Sequence, residues 1–528
     1  MAASKIHPSK SAFMLPHRSQ TARNVGVNAL QKVTVGTAGL AVTAVLARNF
    51  PLELLGVWAL VSGVVNIVTF ADFGLPSALP RLLPAMRADS TRGDPRAVVA
   101  IALIVATTMA LVVFGIAFPV GLSLPTMYNI SSDLHHNSSL LFILSFFIGG
   151  ILLPLRFSTG VLAASHRYDL IGYAEMASAI TKIAGVFMLS FWINQSFVVV
   201  AVYMLACSLI APLLQCTYAI RLAKPRLPTW SEFRILTLPM ISLAAASLAV
   251  SLATALTLHG PAMIASAIEG GANAAALIGL PIMLSAGLMA IARSSAGFLT
   301  PIASGLAAQM DFDKVYQAYR VSTHTLTLVM GGMAAVISLV GVPVLNLWLD
   351  GHNLLGDSVS TMATVLTLFT FTAAITAPGL TARVVLSASN AHWRAGITEL
   401  LGSFIAIFAA VALYALDFGI IGIAMGISGI VILRGCVVMP LILSKHLGIS
   451  FSRLLIEGWV GPALIAIVFT SLAWWIGGLI AGWSKIGLFL SMLFFAIIWA
   501  IACIVTMRTV GNQVKGLLHR IGQPSWLR

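Results

Sequence analysis

The chain has 528 residues, of which 59% are hydrophobic and only 9% are charged, and its formal net charge at pH 7 is +14. A soluble protein of this length cannot hide so much apolar surface, because folded soluble proteins keep a largely charged exterior. The basic residues are dispersed among short loops, which is typical of membrane proteins and does not indicate a nucleic-acid partner. The composition therefore predicts a polytopic helical membrane protein.

Apolar runs of about 20 residues recur along the whole chain, and this is the length of a helix that crosses a bilayer. Broken at charges, Pro and Gly, these runs predict about fourteen transmembrane helices. They lie near residues 25–47, 55–73, 97–121, 139–163, 171–192, 196–220, 236–258, 273–297, 322–348, 358–382, 394–414, 418–444, 459–481 and 485–507.

The loop charges predict the orientation of these helices. Most Lys and Arg residues outside the predicted helices fall on one side of the membrane. The other side holds a few charges only: Arg48, Lys485, Glu53, Asp133, Glu269, Asp350, Asp357 and Asp417. Because cytoplasmic loops collect Lys and Arg, this asymmetry places both termini in the cytoplasm. We expect a multi-pass protein of the cell inner (cytoplasmic) membrane.

A Pro-to-Glu segment occurs twice in the sequence. PLRFSTGVLAASHRYDLIGYAE begins at Pro154, and PGLTARVVLSASNAHWRAGITE begins at Pro378, so that the copies are 224 residues apart (378 − 154 = 224). The first copy runs from predicted helix 4 into helix 5, and the second from helix 10 into helix 11, so that the two copies are six helices apart. Because six is an even number, both copies have the same orientation in the membrane, which predicts a parallel repeat about an axis along the membrane normal. A shorter echo, LAVT at 40–43 and LAVS at 248–251, places predicted helix 7 opposite helix 1.

The repeat predicts two six-helix lobes followed by two further helices, which is a transporter plan with a substrate site between the lobes. The predicted parts are a cytoplasmic N-terminal segment (1–24), an N-lobe (25–221), a cytoplasmic linker (222–235), a C-lobe (236–445), two C-terminal helices (446–508) and a cytoplasmic tail (509–528).

Charged residues inside predicted helices are the candidates for a functional site, because a charge at the bilayer centre is costly and usually faces a cavity or a partner. Lys32, Arg156, Lys182 and Arg293 are the candidate cationic cavity residues, and Lys32, Arg156 and Arg293 have no acid one helical turn away. The others are coupling or structural candidates: Asp72, Glu175, Arg383, Glu399 and Arg434.

Each of these charges also has a structural interpretation. Asp72, Glu175 and Arg383 can lie at interface depth, Glu175 can pair with Lys182 two turns away, and Arg434 can neutralise Glu399. The deep positions carry more Lys and Arg than Asp and Glu. This excess favours an anionic substrate, such as a pyrophosphate group held by charge-assisted hydrogen bonds.

Other motifs do not indicate an enzyme or a bound metal. Asp311 and Asp313 form a D-x-D pair like that of metal-dependent glycosyltransferases, but they lie in a short loop with no soluble fold around it. No P-loop sequence is present, and the four cysteines form no metal-binding pattern. We expect no cofactor, with H⁺ or Na⁺ as the possible coupling ion.

Four further stretches carry a family resemblance: TAVLARNFPLELLGVWALVSGVVNIVTFADFGLPSALPRLLP (43–84), FLTPIASGLAAQMDFDKV (298–315), VPVLNLWLDGHN (342–353) and LDFGIIGIAMGISGIV (416–431). They resemble the polysaccharide-transporter branch of the multidrug/oligosaccharidyl-lipid/polysaccharide (MOP) flippase superfamily, which includes the Wzx-type O-antigen flippases. Asp350 departs from the glycine of the family pattern.

The resemblance implies a V-shaped pair of lobes that flips an undecaprenyl-pyrophosphate-linked oligosaccharide outward, with possible polysaccharide polymerase and glycosyltransferase partners. The resemblance also implies that Lys and Arg residues line the cavity, and in this chain Lys32, Arg156, Lys182 and Arg293 are the candidates. Two other functions stay open: an ion-coupled multidrug (MATE-like) exporter, and a polytopic glycosyltransferase or polymerase.

Overall fold

The computed structural model describes residues 18–480 and residue 499. Within that range it does not describe 73, 89–92, 193–195, 350–355, 390 or the stretch 298–310 other than 299, 303 and 306. Predicted helix 14 and the C-terminal tail therefore lie outside the described residues, apart from 499, and so does most of the N-terminal segment.

The described residues form helices and no strands. The α-helices are α1 (Arg18–Asn49), α2 (Leu52–Thr69), α3 (Leu75–Ala88), α4 (Pro95–Met127), α5 (Ser132–Leu155), α6 (Phe157–Ala164), α7 (Tyr168–Phe187), α8 (Phe197–Cys207), α9 (Ile210–Ala223), α10 (Trp230–Ala265), α11 (Ala272–Gly297), α12 (Phe312–Leu349), α13 (Gly356–Ile375), α14 (Ala377–Ala388), α15 (His392–Leu413), α16 (Gly419–Leu433), α17 (Met439–Leu447), α18 (Phe451–Leu455) and α19 (Gly461–Ile480).

Eleven helical stretches among the described residues are long and apolar enough to cross a membrane. One of them, His392–Leu447, has 56 residues and contains two predicted helices, which are divided where Asp417 and Gly419 adopt positive φ. The apolar part of α11, Ala272–Gly287, is shorter. Helices thus occupy the first thirteen predicted positions, and the prediction of an all-α membrane protein is confirmed.

One helix was not predicted from the sequence. The segment between predicted helices 2 and 3 forms α3, although it contains Pro80 and Pro84. Its buried residues Leu79, Leu83 and Met86 recur at helical spacing and pack into a core with α4 and α6. The basic residues and prolines of this segment conceal an amphipathic pattern that hydropathy does not register.

The helix pairings repeat in the two halves of the chain. In the first half α1 packs on α7, α4 on α5 and α2 on α5; in the second half α10 packs on α15, α12 on α13 and α11 on α13. A Cβ on Gly172 would lie 2.6 Å from Val27 Cγ1, and one on Gly396 would lie 2.8 Å from the Ala246 carbonyl oxygen. The same close approach therefore occurs at matching positions of the Pro-to-Glu segment.

These contacts also give the register of the first helix of each half. Gly172 and Gly396 are 224 residues apart (396 − 172 = 224), whereas Val27 and Ala246 are 219 apart (246 − 27 = 219). The LAVT and LAVS motifs are only 208 apart (248 − 40 = 208). The short echo pairs the right helices but is wrong by eleven residues, about three helical turns.

The two halves meet closely along α2, which packs against α10 and α11. A Cβ on Gly56 would lie 1.7 Å from the Ala272 carbonyl oxygen, so that only glycine fits there. At the end predicted to face outward, Ser266 donates to the Tyr128 carbonyl at 3.0 Å, and Asn129 donates to the Ala267 carbonyl at 3.4 Å. The halves are therefore in direct contact at this end.

A short linker joins the halves on the side predicted to be cytoplasmic. Arg226 pairs with Asp94, at the start of α4, at 3.1 Å and with Glu232 of α10 at 2.6 Å. Thr229 and Glu232 form a reciprocal capping box at the start of α10. The backbone hydrogen bond from Thr229 and the nearby Arg226 guanidinium lower the pKa of Glu232 below its usual range.

Candidate functional site: buried charges in the two halves

Asp72 and Arg156 form an ion pair between the end of α2 and the junction of α5 and α6. Arg156 Nε lies 3.1 Å from Asp72 Oδ2, and a second guanidinium nitrogen of Arg156 donates to the Thr69 carbonyl at 3.2 Å. Asp72 also accepts from the backbone N–H of Gly74 at 2.8 Å. Arg156 has no acid one helical turn away, and the fold supplies an acid partner from another helix.

Glu175 lies on α7 and faces α1. Its carboxylate accepts a hydrogen bond from the side-chain amide of Gln31, and the positive charge of Lys32 also acts on it. Gln31 belongs to a buried stripe of α1, whereas Lys32 is half-buried beside that stripe. The N-half therefore holds a carboxylate between a neutral amide and a lysine. The Glu175–Lys182 pair considered from spacing does not form among the described residues.

Lys182 lies two turns beyond Glu175 on α7, opposite the end of α8. Its side chain is close enough to Cys207 for an electrostatic interaction. The Cys207 carbonyl itself accepts from Ser178, and Tyr203 donates to the Thr181 carbonyl at 2.6 Å. In the described part of the chain, Lys182 has no acidic partner. It is the candidate cation that comes nearest to an isolated charge.

Arg293 lies on α11, but its side chain is outside the described residues. Its assignment to a cationic cavity stays a prediction. Asp350, the departure from the family pattern, is likewise not described.

The second half contains a three-membered charge cluster. Arg434 Nη2 lies 2.9 Å from the Glu399 carboxylate oxygen Oε2. Arg434 Nη1 donates to the Glu399 backbone carbonyl at 2.9 Å and to the Ser403 hydroxyl at 3.1 Å. Arg383 approaches the other carboxylate oxygen of Glu399 at 3.9 Å. Neutralisation of Glu399 by Arg434, one of the structural interpretations, is present in the structure. We call these three residues the C-half triad.

The C-half triad borders a cavity of about 70 Å³. The cavity lies within the second half and is lined by α10, α12, α13, α14, α15 and α16. Thr254, Thr257 and Thr376 supply hydroxyl groups to its wall, and the rest of the lining is mostly apolar. The volume suits a few water molecules or a small ion rather than a lipid headgroup.

Sequence reasoning identified the charges but not the neutral residues around them. Gln31, Ser403, Thr254 and Thr257 carry no charge, and no short motif marks them. A signal existed for Gln31, because it precedes Lys32 in an apolar helix, where an amide is itself costly unless it is hydrogen-bonded.

Asp311, the first residue of the D-x-D pair, has a structural role at the start of α12. Asp311 accepts from the backbone N–H of Lys314 at 3.1 Å and pairs with the Lys314 ammonium at 2.8 Å. It therefore caps the start of α12. Among the described residues, no group of three His, Cys, Asp or Glu side chains is placed to hold a metal ion.

Comparison with known proteins gives the fold a context. No protein-family model and no curated protein matches the sequence. An inward-facing multidrug resistance MATE family transporter of the MOP superfamily has a similar structure, with a TM-score of 0.65 and 13% sequence identity over 80% of this chain and 98% of that one. Lipid II flippase MurJ in an inward closed conformation gives a TM-score of 0.64 and 11% identity over 91% of this chain and 99% of that one.

A MOP superfamily transporter from Pyrococcus furiosus, described by a binding pocket of reverse polarity, has a TM-score of 0.52 and 15% identity over 83% of this chain and 94% of that one. At identities of 11–15% the property shared with these proteins is the fold. The chain therefore has the fold of MOP superfamily transporters, as its sequence resemblance implies. The polysaccharide branch stays a prediction.

Proposed function

We propose that the protein is a secondary transporter of the flippase type rather than an enzyme. It moves a polyprenyl-pyrophosphate-linked oligosaccharide, a precursor of surface polysaccharide, across the cytoplasmic membrane by alternating access. The observation that carries this proposal is the duplicated helix pairing, in which two similar halves meet along α2, α10 and α11. Two like halves in contact can rock against each other and expose a site between them to each side in turn.

The charge balance supports an anionic substrate. Six cationic candidates lie in the predicted helices or, for Arg383, directly after one, namely Lys32, Arg156, Lys182, Arg293, Arg383 and Arg434, against three acids, Asp72, Glu175 and Glu399. Each acid has at least one cationic neighbour. Lys182, which has no acidic partner among the described residues, is therefore the best candidate to bind the pyrophosphate, together with Lys32 and Arg293, while Arg156 positions α2 through Asp72.

Glu175 is the preferred coupling residue. Its direct hydrogen-bond partner is the neutral amide of Gln31. A proton or Na⁺ can therefore bind the Glu175 carboxylate and neutralise its charge without breaking an ion pair. Glu399 is less suitable because it is already paired with two guanidinium groups. We propose H⁺ or Na⁺ as the coupling ion, and a cell inner membrane location with both termini in the cytoplasm.

The test is a reconstituted flipping assay. Purified protein in proteoliposomes is given a fluorescent undecaprenyl-pyrophosphate oligosaccharide, and the label that reaches the far leaflet is followed by a membrane-impermeant quencher. Lys182→Gln and Lys32→Gln are each expected to reduce the rate about tenfold or more, because each removes a charge-assisted hydrogen bond. Lys445→Gln, in a predicted inner loop, is the matched control. Wild-type rates equal to those of empty liposomes contradict the proposal.

A multidrug exporter is the second candidate, since a MATE family transporter has the same fold. The same proteoliposomes, loaded with a fluorescent lipophilic cation, separate the two functions. Ion-driven cation efflux without flipping of the lipid-linked saccharide supports the exporter and contradicts the flippase.

A further inference from the structure

The C-half triad carries a surplus positive charge. Arg383 and Arg434 share one carboxylate, Glu399, and all three side chains are largely buried, with 12–16% of each side chain exposed. No other ionisable side chain lines the adjoining cavity among the described residues. A net charge enclosed among apolar residues is unfavourable unless a counter-charge accompanies it.

The two arginines are not equally satisfied. Arg434 donates to the Glu399 carbonyl and to Ser403, in addition to its contact with the Glu399 carboxylate. Arg383 only approaches Glu399 at 3.9 Å, which is beyond hydrogen-bond length. Within the described part of the chain, none of the five N–H donors of Arg383 makes a hydrogen bond. A buried guanidinium in this state requires an acceptor that the described residues do not provide.

The cavity is placed to hold that acceptor. Arg383, Arg434 and Glu399 all line it, as does Thr254. The Thr254 hydroxyl makes no hydrogen bond to any described residue, so its proton is available to a bound group. Water alone could accept from Arg383, but water would leave the surplus charge uncompensated. An anion of one negative charge satisfies both requirements.

We infer that the second half contains a binding site for a small monovalent anion, of the size of chloride or formate, held by Arg383, Arg434 and Thr254. The site is distinct from the proposed substrate site, because its volume of about 70 Å³ lies within one half of the molecule and is too small for a sugar or a pyrophosphate. It does not depend on the proposed function, and failure of either proposal leaves the other intact.

Thermal unfolding of the full-length protein in detergent tests the inference. The midpoint is measured while chloride replaces gluconate at constant sodium concentration and ionic strength. Gluconate is too large for the cavity, so the unfolding midpoint of the wild type should rise as chloride replaces it. At chloride concentrations above the dissociation constant, the midpoint should rise with the logarithm of the chloride concentration. Bromide and formate should act like chloride. A midpoint that does not change with the anion overturns the inference.

Variants locate the effect. Arg383→Gln is expected to weaken the apparent affinity for chloride about tenfold or more, as the loss of a charged hydrogen bond predicts. Arg453→Gln, an exposed arginine outside the cavity, should keep the wild-type chloride dependence. An unchanged dependence in Arg383→Gln places the ion elsewhere and contradicts the site.

Thr254→Val covers the case in which Arg383→Gln does not fold. This variant keeps the shape and charge of the cavity and removes one hydroxyl donor. It should weaken chloride binding severalfold while leaving the midpoint in gluconate close to that of the wild type. Equal chloride affinity in Thr254→Val and the wild type, combined with an unfolded Arg383→Gln, excludes the proposed ligand set.

Discussion

The two copies of the Pro-to-Glu segment share a backbone arrangement and differ in chemistry. In both, a glycine one turn before the glutamate touches the first helix of its half, at Gly172 and at Gly396. Yet Glu175 is hydrogen-bonded to an amide, whereas Glu399 lies between two arginines. The positions that set helix packing are matched, while the partners of the buried acid differ. Packing thus constrains the repeat more strongly than charge does.

The largest difference between the halves should appear when each glutamate loses its charge. Glu399→Gln leaves two buried guanidinium groups without a counter-charge and is expected to cost about 3–5 kcal/mol of unfolding free energy. Glu175→Gln keeps an acceptor for Gln31 and should cost about 1 kcal/mol or less. Unfolding titrations in mixed SDS micelles measure both. Equal losses would falsify the assignment of different partners.

A compensating change sharpens this comparison. Because Glu399 and Arg434 act as a pair, Glu399→Gln combined with Arg434→Gln should recover part of the stability lost in Glu399→Gln alone. Additive losses in the double variant would show that the two side chains are energetically independent.

The matched glycines give the next largest effect. Gly396→Ala brings a Cβ against the Ala246 carbonyl oxygen, which is backbone and cannot turn away, and should cost about 1–3 kcal/mol by overpacking. Gly172→Ala meets the end of the Val27 side chain, which can shift, so its cost should be smaller. The same unfolding titration ranks them. The reverse order would contradict the predicted difference between a backbone contact at Gly396 and a side-chain contact at Gly172.

Loss of the Asp72 charge should have a smaller effect than loss of the Glu399 charge. In Asp72→Asn the new amide oxygen can still accept from Gly74, and Arg156, whose side chain is 35% exposed, can turn toward solvent or lipid headgroups. The expected loss is about 1 kcal/mol. A loss as large as that of Glu399→Gln would indicate that Arg156 is confined as tightly as Arg434.

The linker between the halves should give the smallest effect, and it depends on pH. Because the folded protein lowers the pKa of Glu232, this group stabilises the fold above its ordinary pKa of 4.5, and that stability is lost as the pH falls through the lower folded value. Unfolding midpoints between pH 7 and pH 3 should therefore fall less in Glu232→Gln. Asp133→Asn, an exposed acid outside the linker, is the control, and identical profiles for all three proteins contradict the prediction.

The membrane helices could be predicted from the sequence because apolar length alone determines them. The helix α3 could not, since its prolines and basic residues conceal its apolar stripe. The Arg156–Asp72 pair was also out of reach, because it depends on which helices are neighbours. The fit of Gly172 and Gly396 against their partner helices gave the correct register, where the four-residue echo was wrong by three turns.

The candidate site shows the same limit. Lys32, Lys182 and Glu399 were found because a charge in an apolar helix is conspicuous. The groups around these charges could not be predicted, since Gln31 is neutral and lies far in sequence from Glu175, and Thr254 is neutral and lies far from Glu399. A sequence therefore reveals which groups need partners, whereas the partners themselves require the packing.

The linker arginine has a mechanical consequence. Arg226 ties the start of α10 to the start of α4, and α3 packs against α10 on the same edge of the molecule. If the halves part on the side predicted to be cytoplasmic, as the proposed function requires, this tied edge should act as a hinge. The separation would then be least beside the linker and greatest at the opposite edge, where the proposed lipid-linked substrate could leave its chain in the bilayer while its head enters.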